Sequence, residues 1–129
     1  MEYLADTVAL VRHMSETGKI GKKAKEILDA ADRGENIIYV SIFSMVEIMY
    51  LAEGSKISVD FDEVKKRINE AANYHLIDLN IGIVEVSRKL TNLELHDRLI
   101  AATANYLNVP ILTSDEQTRE SNSIEVIWG

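Results

Sequence analysis

The sequence predicts an α/β protein, a three-layer α/β/α sandwich around a mostly parallel central sheet. Three observations lead there. Short apolar runs bounded by turn residues alternate with longer segments of helical periodicity, from Tyr3-Leu4-Ala5 through Ile37-Ile38-Tyr39-Val40 to Ile111-Leu112. Ile37 to Val40 is continuously apolar, as strands covered on both faces are. Acidic residues stand just past two of the runs, at Asp6 and Asp115, and the carboxyl ends of parallel strands share the one edge where such folds bind ligands.

Tyr3 to Ala5 is expected as a brief first strand, followed by a helix from Thr7 to Met14 that turns Val8 and Val11 inward. Asp6 lies at the hinge between them. From Lys19 to Arg33, Ile20, Ala24, Ile27, Leu28 and Ala31 form one apolar stripe opposite charged residues, and Gly34 supplies a stop. Ile37 to Val40 is a strand. The segment from Ser41 to Glu53 is apolar on nearly every side, and Glu47 is its one charge before Glu53, which singles that residue out. Phe61, Val64, Ile68 and Ala72 give a helix from Asp60 to Asn73, His75 to Leu79 a strand, and Asn80 the cap of a helix through Lys89. After a loop at Thr91-Asn92 comes a helix to about Asn108. Ile100, Ala104 and Leu107 recur there at helical spacing, and a step of three back from Ile100 places Asp97 on the same inward face. Val109 to Leu112 and Ile124 to Trp128 complete the strands. Glu47 and Asp97 fall in first turns of helices, so all four acids converge on the carboxyl edge of the sheet.

The length of 129 residues suits one domain over residues 1–129, with no repeat, low-complexity tract or linker to divide it. The absence of cysteine excludes disulfides, thiolate metal sites and thiol nucleophiles, and suits a reducing interior. Met1 to Asp6 lacks the basic flank and apolar stretch of a signal peptide. Ile37 to Ala52, the most apolar stretch, carries Ser41, Ser44 and Glu47 and is short for a bilayer crossing, so a cytoplasmic protein without a membrane partner is expected. A formal net charge of -7 argues against a general nucleic-acid coat protein, which neutralises phosphates with Lys and Arg. It leaves a polyanionic substrate open, because a divalent cation held by carboxylates reverses the local sign.

Taken singly, each acid has a structural reading. Asp6 caps the helix after it, Ser44-Met45-Val46-Glu47 fits a capping box, Asp97 complements a helix dipole, and Asp115 is an N-cap or turn acid. Taken together they require more, since four carboxylates at one edge repel one another unless protonated or bridged by metal. With no cysteine and no paired histidines, the ligand set suits a hard cation, Mg²⁺ or Mn²⁺. Four acids leave room for two ions, or for one ion and a water-orienting base, and such a site can aim water at a phosphodiester.

Leu4-Ala5-Asp6-Thr7, Ser44-Met45-Val46-Glu47-Ile48, Asp97-Arg98-Leu99-Ile100-Ala101-Ala102-Thr103-Ala104 and Leu112-Thr113-Ser114-Asp115 together resemble the PIN-domain nucleases, with the nearest likeness to the VapC-type toxins of toxin-antitoxin pairs. The likeness runs through Val126-Ile127-Trp128, and the third motif is its most specific part. The resemblance implies a parallel α/β/α fold and a Mg²⁺- or Mn²⁺-dependent endoribonuclease that hydrolyses RNA by metal-activated water. It also implies a homodimer inhibited by a cognate protein antitoxin. Asp6, Glu47, Asp97 and Asp115 match the family's catalytic acidic quartet: Asp6 and Asp97 as direct metal ligands, Asp115 next, and Glu47 as a metal ligand or the residue that orients the attacking water. Thr7 and Ser114 match positions where a small hydroxyl supports the cluster. Val8 stands where the family commonly has a small polar residue.

Other residues carry less. His96 neighbours Asp97, but consecutive helix positions point apart. His13 and His75 have no paired-ligand spacing and read as surface or packing residues. Lys19, Lys22, Lys23 and Lys25 either guide RNA phosphates or form a solvated helix face. Gly18-Lys19-Ile20-Gly21-Lys22-Lys23 lacks the spacing of a P-loop. Arg98 is expected to pair with an acid or a phosphate, and Met45, Met49, Tyr50 and Leu51 to form core or dimer contact. Two competing functions remain. A phosphoacceptor signalling domain wants paired acids after the first strand and a late Lys, and both are missing. A catalytically silent PIN-like binding scaffold would not need the intact quartet.

Overall fold

The computed structural model describes residues 1–121 and 123–129. In chain order its elements are β1 (Glu2–Ala5), α1 (Thr7–Ser15), α2 (Lys22–Asp32), β2 (Ile37–Ser41), α3 (Ile42–Glu53), α4 (Phe61–Glu70), β3 (Tyr74–Ile77), α5 (Ile81–Ser87), α6 (Leu95–Leu107), β4 (Ile111–Leu112), α7 (Glu116–Glu120) and β5 (Val126–Ile127). The strands form one sheet in the order β3-β2-β1-β4-β5, and every neighbouring pair is parallel. The chain moves outward from β1 through β2 to β3, then returns to build β4 and β5 on the other side of β1. The order therefore reverses between β1 and β4, where crossovers leave the sheet in opposite directions and open a crevice at the carboxyl ends. Leu4 pairs with Ile111 and Ala5 with Leu112. Asp6 and Thr113 thus leave the sheet side by side, and the Asp6 N–H donates to the Leu112 carbonyl at 3.1 Å.

Alternation along the strands sorts their side chains into two cores. Tyr3, Ala5, Ile38, Val40 and Leu112 face a core completed by Leu10 of α1, Leu28 of α2, Ile48 of α3 and Val64 of α4. Leu4 and Ile111 face the other, completed by Ile83 of α5 and Ile100, Ala101 and Ala104 of α6. Helices on both faces make the expected three-layer sandwich and explain why Ile37 to Val40 lacks a polar side. No helix of the described residues is long and apolar enough to cross a membrane.

Boundaries shift where backbone chemistry overrides periodicity. The helix expected from Lys19 begins at Lys22 with Gly21 as its N-cap, and the Ala24 N–H donates to the Trp128 carbonyl at 3.0 Å. Gly34, at φ +80°, takes the chain out of that helix as predicted. Ser41 ends β2 and also caps α3, its Oγ accepting the Phe43 N–H at 3.1 Å. Glu47 therefore stands in the second turn of α3, not the first, and Ser44 is inside the helix instead of capping it. α4 ends at Glu70, so β3 starts at Tyr74 and stops at Ile77, earlier than the expected strand from His75 to Leu79. α7 has no apolar stripe to announce it and depends on its cap, Asp115.

Candidate active site

Each of the four acids reaches the carboxyl edge by its own route. Asp6 follows β1 and caps α1, its Oδ1 accepting the Ala9 N–H at 2.8 Å. The Thr113 side chain, which follows β4 beside it, favours the charged form of its carboxylate. Burial pushes the Asp6 pKa up to about 6; Thr113 and the Ala9 N–H oppose the rise, and the charges of Asp97 and Glu47 add to it.

Glu47 is carried by α3, across from α1. Thr7 Oγ1, which is buried, lies 2.6 Å from Glu47 Oε1 and 2.9 Å from Ser44 Oγ. Thr7 has a single proton to give, and the carboxylate oxygen can only accept, so Thr7 donates to Glu47 and receives the Ser44 hydroxyl. The relay from Ser44 through Thr7 fixes one oxygen of Glu47. The capping box proposed for this residue does not form.

Asp97 sits in the first turn of α6. It is exposed at the open end of the helix, and Ile100 and Ala101 beyond it enter the core. The expected inward face thus stops one turn short of the carboxylate. Its pKa is raised, first by partial burial and then by Asp115, Glu47 and Glu94, with His96 opposing. Asp115 caps α7: its Oδ2 accepts the Thr118 N–H at 2.9 Å and the Thr118 hydroxyl at 2.6 Å. Its own N–H donates to Thr113 Oγ1 at 3.1 Å.

These charge interactions reach all four carboxylates, Asp97 feeling Glu47 and Asp115, and Asp6 feeling Asp97 and Glu47. Among the described residues none of the four forms an ion pair with Lys, Arg or His. The donors are all oxygen, and two of the four are held above the usual carboxylate range. That arrangement fits a hard divalent cation, which would relieve the repulsion that any neutral ligand leaves in place. The four stand wider than a closed ligand shell. Among the described residues the group whose ligand atoms all lie within 4.8 Å of one another is a different one, His13, Asp29 and Asp32.

The supporting hydroxyls divide. Thr7 is engaged with Glu47, whereas Ser114 is exposed and its neighbour Thr113 is a buried hydroxyl that accepts the Asp115 N–H and lowers the Asp6 pKa. Thr113 continues the pairing of β4 with β5 through its N–H, 3.3 Å from the Ile127 carbonyl. Period-two alternation past Leu112 was the signal that could have marked it. Arg98 forms no ion pair with an acid among the described residues; it donates to the Ser87 carbonyl at 2.7 Å and ties α6 to α5. Lys19, Lys22, Lys23 and Lys25 are all exposed, and Lys25 pairs with Asp29 at 3.0 Å. His75 is exposed beside the Tyr39 ring, but His13 is neither surface nor simple packing, since it bridges to two aspartates of α2. Met45 is core, and Met49 and Tyr50 are exposed.

The family described as the PIN domain matches residues 3–121. Among solved structures, VapBC2 from Rickettsia felis, bound to a DNA fragment from their promoter, is similar with a TM-score of 0.73 and 16% identity, covering 100% of each chain. VapBC-1 from nontypeable Haemophilus influenzae gives 0.68 at 16% identity over 98% of this chain and 97% of the other. A toxin-antitoxin complex from Klebsiella pneumoniae gives 0.64 at 23% identity over 97% and 95%. No curated protein sequence matches the chain.

Proposed function

Because the chain belongs to the PIN domain family, we propose that it is a Mg²⁺- or Mn²⁺-dependent endoribonuclease and the toxin of a toxin-antitoxin pair. The observation that carries this reading is the convergence of Asp6, Glu47, Asp97 and Asp115, from four distant stretches, on one sheet edge with no basic side chain among the described residues paired to them. Likeness to structures described as VapBC and as a toxin-antitoxin complex supports a protein antitoxin as partner. Exposed apolar side chains at α5 and α6 support a homodimer.

Asp6, Asp97 and Asp115 would hold the cation. When bound, it neutralises charge on the scissile phosphodiester and acidifies water. The Ala9 N–H fixes one oxygen of the Asp6 carboxylate. Thr118 holds Asp115 by Oδ2, which leaves Oδ1 for the cluster. Glu47, aimed by Thr7, is placed to take a proton from the attacking water. An unpaired RNA strand can lay its backbone along such an open edge more readily than a duplex can.

The test is the purified protein on a mixed RNA pool with Mg²⁺ or Mn²⁺. Cleavage is expected, and both chelator and Asp97→Asn should abolish it. Cleavage that survives both would overturn the metal-dependent reading, and no cleavage under any condition, with RNA still bound, would favour the silent scaffold.

A further inference from the structure

A second cluster lies at the other end of the helix that Asp6 caps. His13, in the last turn of α1, packs against Asp29 and Asp32 of α2. Its side chain is 8% exposed, whereas those of Asp29 and Asp32 are 41% and 50% exposed. Nε2 is 2.9 Å from Asp32 Oδ2, and Nδ1 is 4.0 Å from Asp29 Oδ1, beyond hydrogen-bond reach. One ring nitrogen and one oxygen of each carboxylate all lie within 4.8 Å of one another. Asp29 gives its other oxygen, Oδ2, to Lys25 Nζ at 3.0 Å, which leaves Oδ1 turned toward the ring. All three residues line a cavity of about 430 Å³.

A second feature lies next to this cluster, in a neighbouring cavity that shares Asp32 with it. Tyr74, the first residue of β3, is 8% exposed, and its hydroxyl has no hydrogen-bond partner among the described residues. Together with Asp32 and Arg67 it lines an adjoining cavity of about 350 Å³. A buried phenol left unpaired is costly unless water or a ligand enters beside it.

We propose that His13, Asp29 and Asp32 form a second metal site, for a divalent transition ion of the zinc type, separate from the carboxylate cluster and independent of the nuclease reading. One imidazole and two carboxylates are a borderline donor set that suits Zn²⁺, Co²⁺ or Mn²⁺, whereas Mg²⁺ favours oxygen alone. Zinc bonds of about 2.0–2.2 Å to nitrogen and oxygen place tetrahedral ligand atoms roughly 3.4 Å apart. The ion would take one ring nitrogen, and the carboxylate oxygens of the two half-exposed aspartates, which lie within 4.8 Å of it and of each other, would turn inward to reach that spacing. His13, held by the core, is the fixed ligand, and the aspartates close on it. The ion would staple α1 to α2 and so steady, from its far end, the helix that presents Asp6 and Thr7.

The experiment titrates the metal-free chain carrying Asp97→Asn, which weakens the first cluster, with Zn²⁺ and with Co²⁺ for its visible absorption, in excess Mg²⁺. One ion per chain is expected. Adding His13→Gln should lower its affinity by about tenfold or more and remove the cobalt band, and Asp29→Asn, at an exposed position, should weaken it as well. In the unsubstituted chain, the ring ¹⁵N resonances of His13 should move on addition of zinc, a readout that no variant's folding can confound. If those resonances stay in place at saturating zinc, or if both variants bind as tightly as their parent, the cluster is an ion pair between α1 and α2 only and the proposal is wrong.

Discussion

Asp6 caps α1 with one oxygen while Asp97 and Glu47 press their charge on it, so its pKa of about 6 gives the metal-free protein a definite pH response. The unfolded value is 3.8. Between the two values the folded state holds the proton and the unfolded state has lost it. Stability is therefore full below 3.8 and falls as pH rises through about 6, by on the order of 3 kcal/mol for a shift of this size. Asparagine retains the cap to Ala9 without the charge. Asp6→Asn should thus melt several degrees higher than the parent at pH 7.5 without metal, and its stability should fall less than the parent's between pH 4 and 6, the remaining fall coming in part from Asp97. Saturating Mg²⁺ should raise the melting point of the parent and leave the variant unmoved. A variant that melts lower than the metal-free parent at pH 7.5 would show that the carboxylate is not destabilised where it sits.

The segments that were legible as elements were those whose side chains meet a core on a regular period. β1, β2 and α2 are close to their predicted extents because Leu4, Ile38, Val40, Leu28 and Ala31 fill buried positions at strand or helix spacing. What escaped had no such period. β2 passes into α3 at Ser41 with no turn residue between, so the start of that helix, and with it the turn holding Glu47, was read too late in the chain. α7 is a single capped turn. Asp6 and Asp115 are legible as the acids that follow β1 and β4, whereas Glu47 and Asp97 are helix residues with no strand end to mark them, and the bridge from His13 to Asp32 depends on neighbours distant in sequence, which no spacing encodes. The junction between α2 and the C-terminal segment is another such contact. A Cβ on Gly21 would stand 2.1 Å from the Trp128 carbonyl oxygen. Its φ of -56° is ordinary for any residue, so Gly21→Ala isolates the steric term. It should cost about 1–3 kcal/mol in urea unfolding, as overpacking does, by pushing Trp128 off the start of α2. A neutral substitution would mean that the two segments are not in contact.

At the scale of the whole molecule, net charge and apolar surface oppose each other. Leu79, Ile81 and Tyr106 are 41%, 74% and 48% exposed. A Cβ on Gly82 would stand 2.5 Å from the Tyr106 ring, so the start of α5 and the end of α6 are in direct contact and their exposed apolar side chains stand on neighbouring helices. A joined apolar patch of this kind is what a second copy would cover. Two chains of charge -7 repel at long range, however, and salt screens that repulsion without weakening apolar contact. The dimer should therefore strengthen as NaCl rises, the opposite of an assembly held by ion pairs. Light scattering should give twice 14.5 kDa, with the dimer persisting to lower protein concentration at about 0.5 M salt than at about 0.05 M. Ile81→Glu places a further like charge in the patch of each copy and should return the protein to 14.5 kDa at both salt levels. Dissociation by salt, or an Ile81→Glu protein that remains dimeric, would assign the contact to a different face of the molecule.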